Sequence, residues 1–438
     1  MTHMTALPSN WKARFFTIWG GQIFSLIGSS LVQFALVWWL TAQTGSATVL
    51  ALAMLIAQLP QILLGPVAGT LVDRWNRRRV MLVADSVVAF ATLILITLFA
   101  TGSIQIWHVY ALLLVRSAGG AFHYPAMQAS TSLMVPNQYL ARVAGLNQAL
   151  QGIVNIVGPV LGAGLLAVAP IQTVLLIDVL TALIAITPLL FIPVPQPVRK
   201  PKANGEKTSL LQEMGEALRY IHDWQGMKTL IGMALLLNFL LAPTSSLLPL
   251  LVKAHYLGGP EQFAIVKLTF GVGIVVGGIL LGVWGGFKKK IQTSLLGVAG
   301  LGLSVLVQGA SPTTFFAGIV IGTFIGGAMN VIANGPLHAI LQSSIVPEMQ
   351  GRMMSFLGAA STAIIPISLL IGGPFADTFG VQVWYLLAGS ICLVITLFAV
   401  GNKALMQIES GSSPTSQPEL IREAPEAVPA TTPTEVVN

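Results

Sequence analysis

Long apolar runs alternate with short polar breaks along almost the whole chain. Twelve runs reach the roughly 20 residues that an α-helix needs to cross about 30 Å of hydrocarbon. They cover residues 15 to 41, 46 to 72, 80 to 100, 105 to 135, 143 to 168, 172 to 192, 228 to 254, 263 to 286, 291 to 309, 313 to 343, 352 to 375 and 381 to 401. Leu, Ala, Gly and β-branched residues dominate, and sustained period-two alternation is missing, so the pattern predicts helices and not a β-barrel. The first run is too long for a cleaved leader and is expected to remain a helix. The fold class that follows is an all-α integral membrane protein with twelve transmembrane helices.

The longest internal polar stretch, Pro193 to Gln225, divides six runs from six. The expected organisation is an N-terminus at 1–14, a six-helix bundle at 15–192, a linker at 193–227 and a second six-helix bundle at 228–401. Residues 402–438 follow as a tail too rich in Ser, Thr, Pro and Glu to bury a core of its own. The halves echo each other. Val135-Pro136 then Arg142 resembles Val346-Pro347 then Arg352, and Gly65, Gly69 and the following arginines resemble Gly278, Gly282 and the following lysines. Such duplication suits a membrane bundle pair that holds a site near the midplane between its repeats.

Composition agrees with this reading. The chain of 438 residues is 54% hydrophobic and 8% charged, with mean hydropathy +0.80, against about 25% charged residues in soluble domains. That excludes soluble enzymes and nucleic-acid readers. Nineteen of the twenty-two Lys and Arg residues fall on one side of the alternating topology, among them Lys12, Arg14, Arg142 and Lys288 to Lys290. The basic excess is therefore a positive-inside signal, which places both termini in the cytoplasm of a cell-membrane protein with lipid as its surroundings. Of the three remaining cations, Lys253 and Lys267 are expected to snorkel to the outer surface, with Trp38 and Trp39 in the outer aromatic belt. Cys392 is the single cysteine. The six histidines are never within five residues of one another, so neither a metal site nor a cofactor is expected.

The second run ends Gly69-Thr70-Leu71-Val72-Asp73-Arg74-Trp75-Asn76-Arg77-Arg78-Arg79, which resembles the loop signature of the major facilitator superfamily: a glycine, then Asp-Arg, then a basic pair. Asn76 stands where the family has glycine, and asparagine also tolerates a left-handed turn. Arg116-Ser117-Ala118-Gly119-Gly120 is similar to the family's buried-arginine motif, and Gly158-Pro159-Val160-Leu161-Gly162 to its antiporter motif. Ile18 to Gln22, Leu40 to Ala47 and Arg116 to Pro125 look most like macrolide-efflux permeases and, more distantly, the enterobactin exporter.

The resemblance implies a conformational gate at Gly69, Asp73, Arg74, Arg77 and Arg78. Asp73 would latch the halves by meeting the positive N-terminus of the eleventh run near Gly351 and Arg352, a contact worth roughly 0.3 to 2 kcal/mol. The alternative is a loop salt bridge from Asp73 to Arg77 or Arg78. Gly286 takes the place of the acid in the second half, so such a latch is one-sided.

Ionisable groups inside hydrocarbon cost roughly 2.5 to 3.5 kcal/mol each on insertion scales, so each needs a reason. Asp85, Arg116 and Asp178 are candidates for proton coupling, with Arg116 holding a carboxylate. Alternatively Asp85 anchors the arginine cluster and Asp178 caps or pairs locally. Gln22, Ser25, Ser29 and Gln33 fall within about 80° of one helix face. Asn330, Asn334 and His338 form a second stripe, Asn238 with Ser245 a third, and His123 shares a face with Arg116. The family's first, fourth, seventh and tenth helices line its cavity, so Gln22, Ser29, Gln33, His123, Asn238, Asn330, Asn334 and His338 are candidate substrate contacts. The alternative is interhelical hydrogen bonding.

No nucleotide-binding Gly-x-x-x-x-Gly-Lys loop is present. The expected activity is secondary active export of small amphipathic, macrolide-like drugs in exchange for protons, by a monomer whose halves rock about a shared site. Siderophore or other metabolite export is the alternative, and uptake comes third. A membrane-embedded enzyme would call for His pairs, metal ligands or a paired nucleophile, and a channel for a ring-forming repeat.

Overall fold

The computed structural model describes residues 10–72, 74–196, 224–345 and 347–410. Asp73, most of the linker (197–223) and the distal tail (411–438) lie outside the described residues. Twelve long helices fill the described chain: α1 Trp11–Thr44, α2 Ala47–Val72, α3 Arg77–Ala100, α4 Ile106–Met134, α5 Asn137–Val168, α6 Ile171–Phe191, α7 Gln225–Leu250, α8 Pro260–Trp284, α9 Lys290–Ala310, α10 Phe316–Ser344, α11 Pro347–Phe379 and α12 Val381–Gly401. A π turn, Leu251–His255, prolongs α7. Several helices outrun their apolar cores. Helices α1, α5 and α11 each begin before the expected span, because a helix continues through polar turns that project beyond hydrocarbon, and hydropathy registers only the submerged part.

Eleven of these helices are long and apolar enough to cross a membrane on length and composition. The exception is α4, whose 29 residues include Arg116, His108, His123 and a run of Ser, Thr and Gln near its end. Its hydropathy is low because part of its surface faces other helices and not lipid.

The packing repeats. In the first half α1 meets α5 and α6, α2 meets α4, and α3 meets α4 and α6. The second half has the same set six labels on: α7 with α11 and α12, α8 with α10, and α9 with α10 and α12. Between halves α2 meets α11 and α5 meets α8, contacts that the same operation exchanges. Close approach of α8 and α10 depends on Gly273 and Gly277, where a Cβ would overlap the Phe324 and Ala328 carbonyls, the small-residue spacing that lets membrane helices pack.

Core distribution separates the two ends of the bundle. At the end bearing the α1–α2, α7–α8 and α11–α12 turns, one buried cluster contains residues of both halves, including Leu36, Leu40, Leu50, Leu247, Phe263 and Tyr385. At the end bearing the first and last residues, Phe15, Ile18, Met81 and Leu189 form a cluster within the first half. Met227, Leu230, Ile291 and Met353 form another within the second. The halves share a core at the turn end and keep separate cores at the terminal end.

Residues 403–410, expected to belong to the unfolded tail, instead form the short helix α13 Lys403–Met406 and a further turn, Ile408–Ser410. Leu405 and Ile408 are fully buried against the second half, and Glu409 accepts a hydrogen bond from the Ile291 amide at 2.7 Å. Two well-spaced apolar side chains suffice to dock a segment whose average composition predicts none.

Candidate functional site

Three cavity lobes lie between and within the halves. A central lobe of about 630 Å³ is walled by α1, α2, α5, α7 and α8. A first-half lobe of about 580 Å³ holds Gln22, Ser29, Asp85, Arg116, His123 and Asp178. A second-half lobe of about 740 Å³ holds Asn238, Asn330, Asn334 and His338. Gln33 lines both the first-half and central lobes, and Met54 and Ser245 line both the central and second-half lobes, so the central lobe adjoins the other two. All eight residues expected to contact a solute line one or other of the two outer lobes, and the three expected to couple protons line the first-half lobe.

In the first-half lobe Arg116 Nη1 donates to Asp178 Oδ2 at 2.6 Å and Nη2 to Oδ1 at 3.4 Å. Ser29 Oγ donates to Asp178 Oδ1 at 3.4 Å, and Thr92 Oγ1 lies 3.5 Å from both Arg116 and Asp178. The pair is nearly dry, with the side chains 11% and 4% exposed. Asp178 is thus held by an arginine on a separate helix and not by a local cap. Asp85 does not anchor the Arg74 to Arg79 cluster. It accepts from Gln22 Nε2 at 3.3 Å and faces His123 Nε2 at 3.4 Å, without hydrogen-bond alignment. Gly28, which no motif or periodicity in the sequence singles out, makes this lobe possible. A Cβ there would overlap Thr181 Oγ1 and stand 3.2 Å from Asp178 Oδ1.

The arginine cluster braces the first half. Arg77 is buried and Nη1 donates to the Ala129 carbonyl of α4 at 2.8 Å. Arg78 donates to the Leu189 and Leu190 carbonyls in the last turn of α6, where a cation also complements the helix dipole. Arg74 is exposed, and a Cβ on Gly69 would meet open space. Asn76 is not left-handed. With φ −72° it is the N-cap of α3, accepting from the Arg79 amide at 3.2 Å, because a short amide side chain is as well suited to a cap as to a turn. In α5, Pro159 lines the central lobe. Gly158 and Gly162 admit α1, since a Cβ at either would press on Ser30 or, at 2.9 Å, on Phe34.

Two charged side chains of the second half close the turn end over the central lobe. Asp377, near the end of α11, accepts from the Ala47 and Thr48 amides at 2.6 and 2.9 Å and from Ser46 Oγ at 2.9 Å. Lys253, on the π turn after α7, donates to the Thr41 and Ala42 carbonyls at 3.0 and 2.8 Å. An anion therefore sits on the N-terminus of α2 and a cation on the C-terminus of α1, each at the helix end whose partial charge it complements. Lys253 is bound to the opposite half instead of snorkelling. Lys267 does not snorkel either. It lines the central lobe, its Nζ 5.7 Å from the centre of the Phe263 ring. Trp38 stacks on Phe263 at 6.0 Å across the halves, and Trp39 packs edge-on against Phe99 within the first half.

The transmembrane secretion effector model of the major facilitator superfamily matches residues 6–427. The chain belongs to the major facilitator superfamily. It is a multi-pass membrane protein with the family's transporter fold. It is 35% identical over 393 residues to macrolide efflux protein A of Streptococcus pyogenes, covering 89% of this chain and 96% of that one. To macrolide efflux protein A of Enterococcus faecalis it is 33% identical over 329 residues, covering 74% of this chain and all of that one. The crystal structure of the nucleoside transporter NupG superposes with a TM-score of 0.66 at 13% identity, covering 91% of this chain and 99% of that one, a likeness of fold.

Proposed function

We propose that this transporter exports bulky amphipathic, macrolide-like solutes from the cytoplasm in exchange for protons, its halves alternately opening at the two ends of the bundle. The observation that carries the reading is the row of three adjoining lobes, charged in the first-half lobe, lined by amides in the second-half lobe and largely apolar between. Space of this size and polarity suits a solute with a large apolar body and scattered polar groups. The curated relatives named for macrolide efflux support the same solute class.

Coupling is assigned to the first-half lobe. Among the described residues Asp85 lies beside Gln22 and His123 with no Arg or Lys paired to it, and as the carboxylate of this lobe outside a strong ion pair it is assigned the coupling proton. The Arg116–Asp178 pair joins α4 to α6, so helix movement that parts the two changes the surroundings of the carboxylate. One proton moving down 100 mV is worth about 2.3 kcal/mol, enough to sustain a roughly fifty-fold solute gradient. With both termini in the cytoplasm, the turn end is outer, and Asp73 is assigned to latch the inner end when it shuts.

The test is drug uptake into everted vesicles. Wild type should accumulate a macrolide on energisation and lose it with a protonophore. Asp85→Asn should abolish proton-driven uptake while binding persists, and Asp73→Asn should cut turnover without lowering membrane abundance. Uptake insensitive to the protonophore would remove proton coupling, and no macrolide accumulation would remove the solute class.

A further inference from the structure

Among the described residues Lys267 is the one charged group of the central lobe. It projects from α8 on the face that meets α1, since its neighbour Phe263, one helical turn earlier, stacks on Phe34 at 5.1 Å. The wall around it is apolar apart from neutral groups such as Ser30, Gln33, Asn155 and Ser245. Among the described residues no carboxylate lies within ion-pairing distance of it. Asp178 is held by Arg116, Asp85 lies beside Gln22 and His123, Asp377 caps α2 and Glu409 caps α9. Among the described residues the face of the Phe263 ring is the electrostatic complement given to this ammonium.

A half-buried cation on an apolar wall has lost part of its water without gaining a counter-charge, an arrangement that proteins ordinarily avoid. An ammonium has three donors and no acceptor, and the remaining polar groups of the lobe are uncharged. The charge this lobe can recognise is therefore negative. We propose that Lys267 makes the central lobe a subsite for the carboxylate of an amphipathic solute, whose apolar body lies against Phe34, Phe263 and Pro249. The proposal rests on the reading of this cavity as the solute site, and it adds an anionic branch to the solutes the transporter accepts.

The experiment uses the full-length protein in nanodiscs and a matched fluorescent pair, dansyl-undecanoic acid and its methyl ester. Binding is read by energy transfer from tryptophan, Trp38 being stacked on the same ring as Lys267, with empty nanodiscs as the blank. Wild type should bind the acid about tenfold more tightly than the ester. Lys267→Met should erase that preference by weakening the acid about tenfold and leaving the ester unchanged, and Lys267→Arg should restore it. Equal affinities in wild type, or a Lys267→Met variant that binds the acid as before or loses both probes alike, overturns the proposal. Ester binding that survives without an acid preference defeats the subsite alone. Failure of wild type to bind either probe defeats both the subsite and the reading of the cavity as an amphipath site.

Discussion

The two charges that close the turn end set a measurable conformational bias. Replacing Asp377 by Asn keeps the side chain's shape but removes its charge and one of the two oxygens that now serve Ala47 N, Thr48 N and Ser46 Oγ. Hydrogen bonds to a charged group contribute about 1.5 to 3 kcal/mol, and an anion at an exposed helix N-terminus about 0.3 to 1 kcal/mol. Asp377 is exposed, so water recovers much of that on opening, and a net loss of about 1 kcal/mol is the reasonable figure. That corresponds to roughly a fivefold shift toward states open at this end. Spin labels at Gln43→Cys and Ala254→Cys, one on each half and both exposed, report it as a longer-distance population in double electron–electron resonance, with Cys392 buried and silent. Glu261→Gln removes an acid from the first turn of α8 at the same end and should leave the distances as they are. An unchanged distribution in Asp377→Asn, or an equal shift in the Glu261 control, would refute the assignment of the bias to this cap.

Arg116→Met leaves Asp178 buried without a counter-charge and should cost about 3 to 5 kcal/mol, seen as a large drop in melting temperature; Arg116→Met with Asp178→Leu should recover most of the stability without recovering transport. Gly28→Val should destabilise by about 1 to 3 kcal/mol through overlap with Thr181 and Asp178, measured as loss of monodisperse protein on heating. Leu405→Ala should cost about 2 kcal/mol and raise hydrogen exchange in the first turn of α9, because it undocks α13 and with it the Glu409 cap on Ile291.

The parts of this molecule that could be foreseen are those fixed by periodicity along one helix. The face carrying Gln22, Ser25, Ser29 and Gln33 was readable because helical geometry alone brings those residues together, and all four line the first-half lobe. Asn330, Asn334 and His338 line the second-half lobe for the same reason. What escaped depends on ends and partners. Lys253 and Asp377 bind the tips of α1 and α2, and no pattern within α7 or α11 announces which foreign helix end lies opposite. Lys267 looks like an ordinary snorkelling lysine until the packing of Phe263 on Phe34 fixes which way its helix is turned. Asn76 could serve a left-handed turn or a cap, because both uses draw on the same short polar side chain, and it makes the cap. Composition averaged over the tail hid Leu405 and Ile408, the two residues that dock its first turns.

The unequal distribution of the cores also governs how substitutions combine. Pairs drawn from Met81 of one half and Met353 of the other occupy unrelated clusters, so their effects on stability should sum. Pairs such as Leu50 with Leu247 belong to one cluster and should show epistasis. Sequence drift in this transporter is therefore free to proceed half by half near the chain ends but must be concerted where the hairpin tips meet.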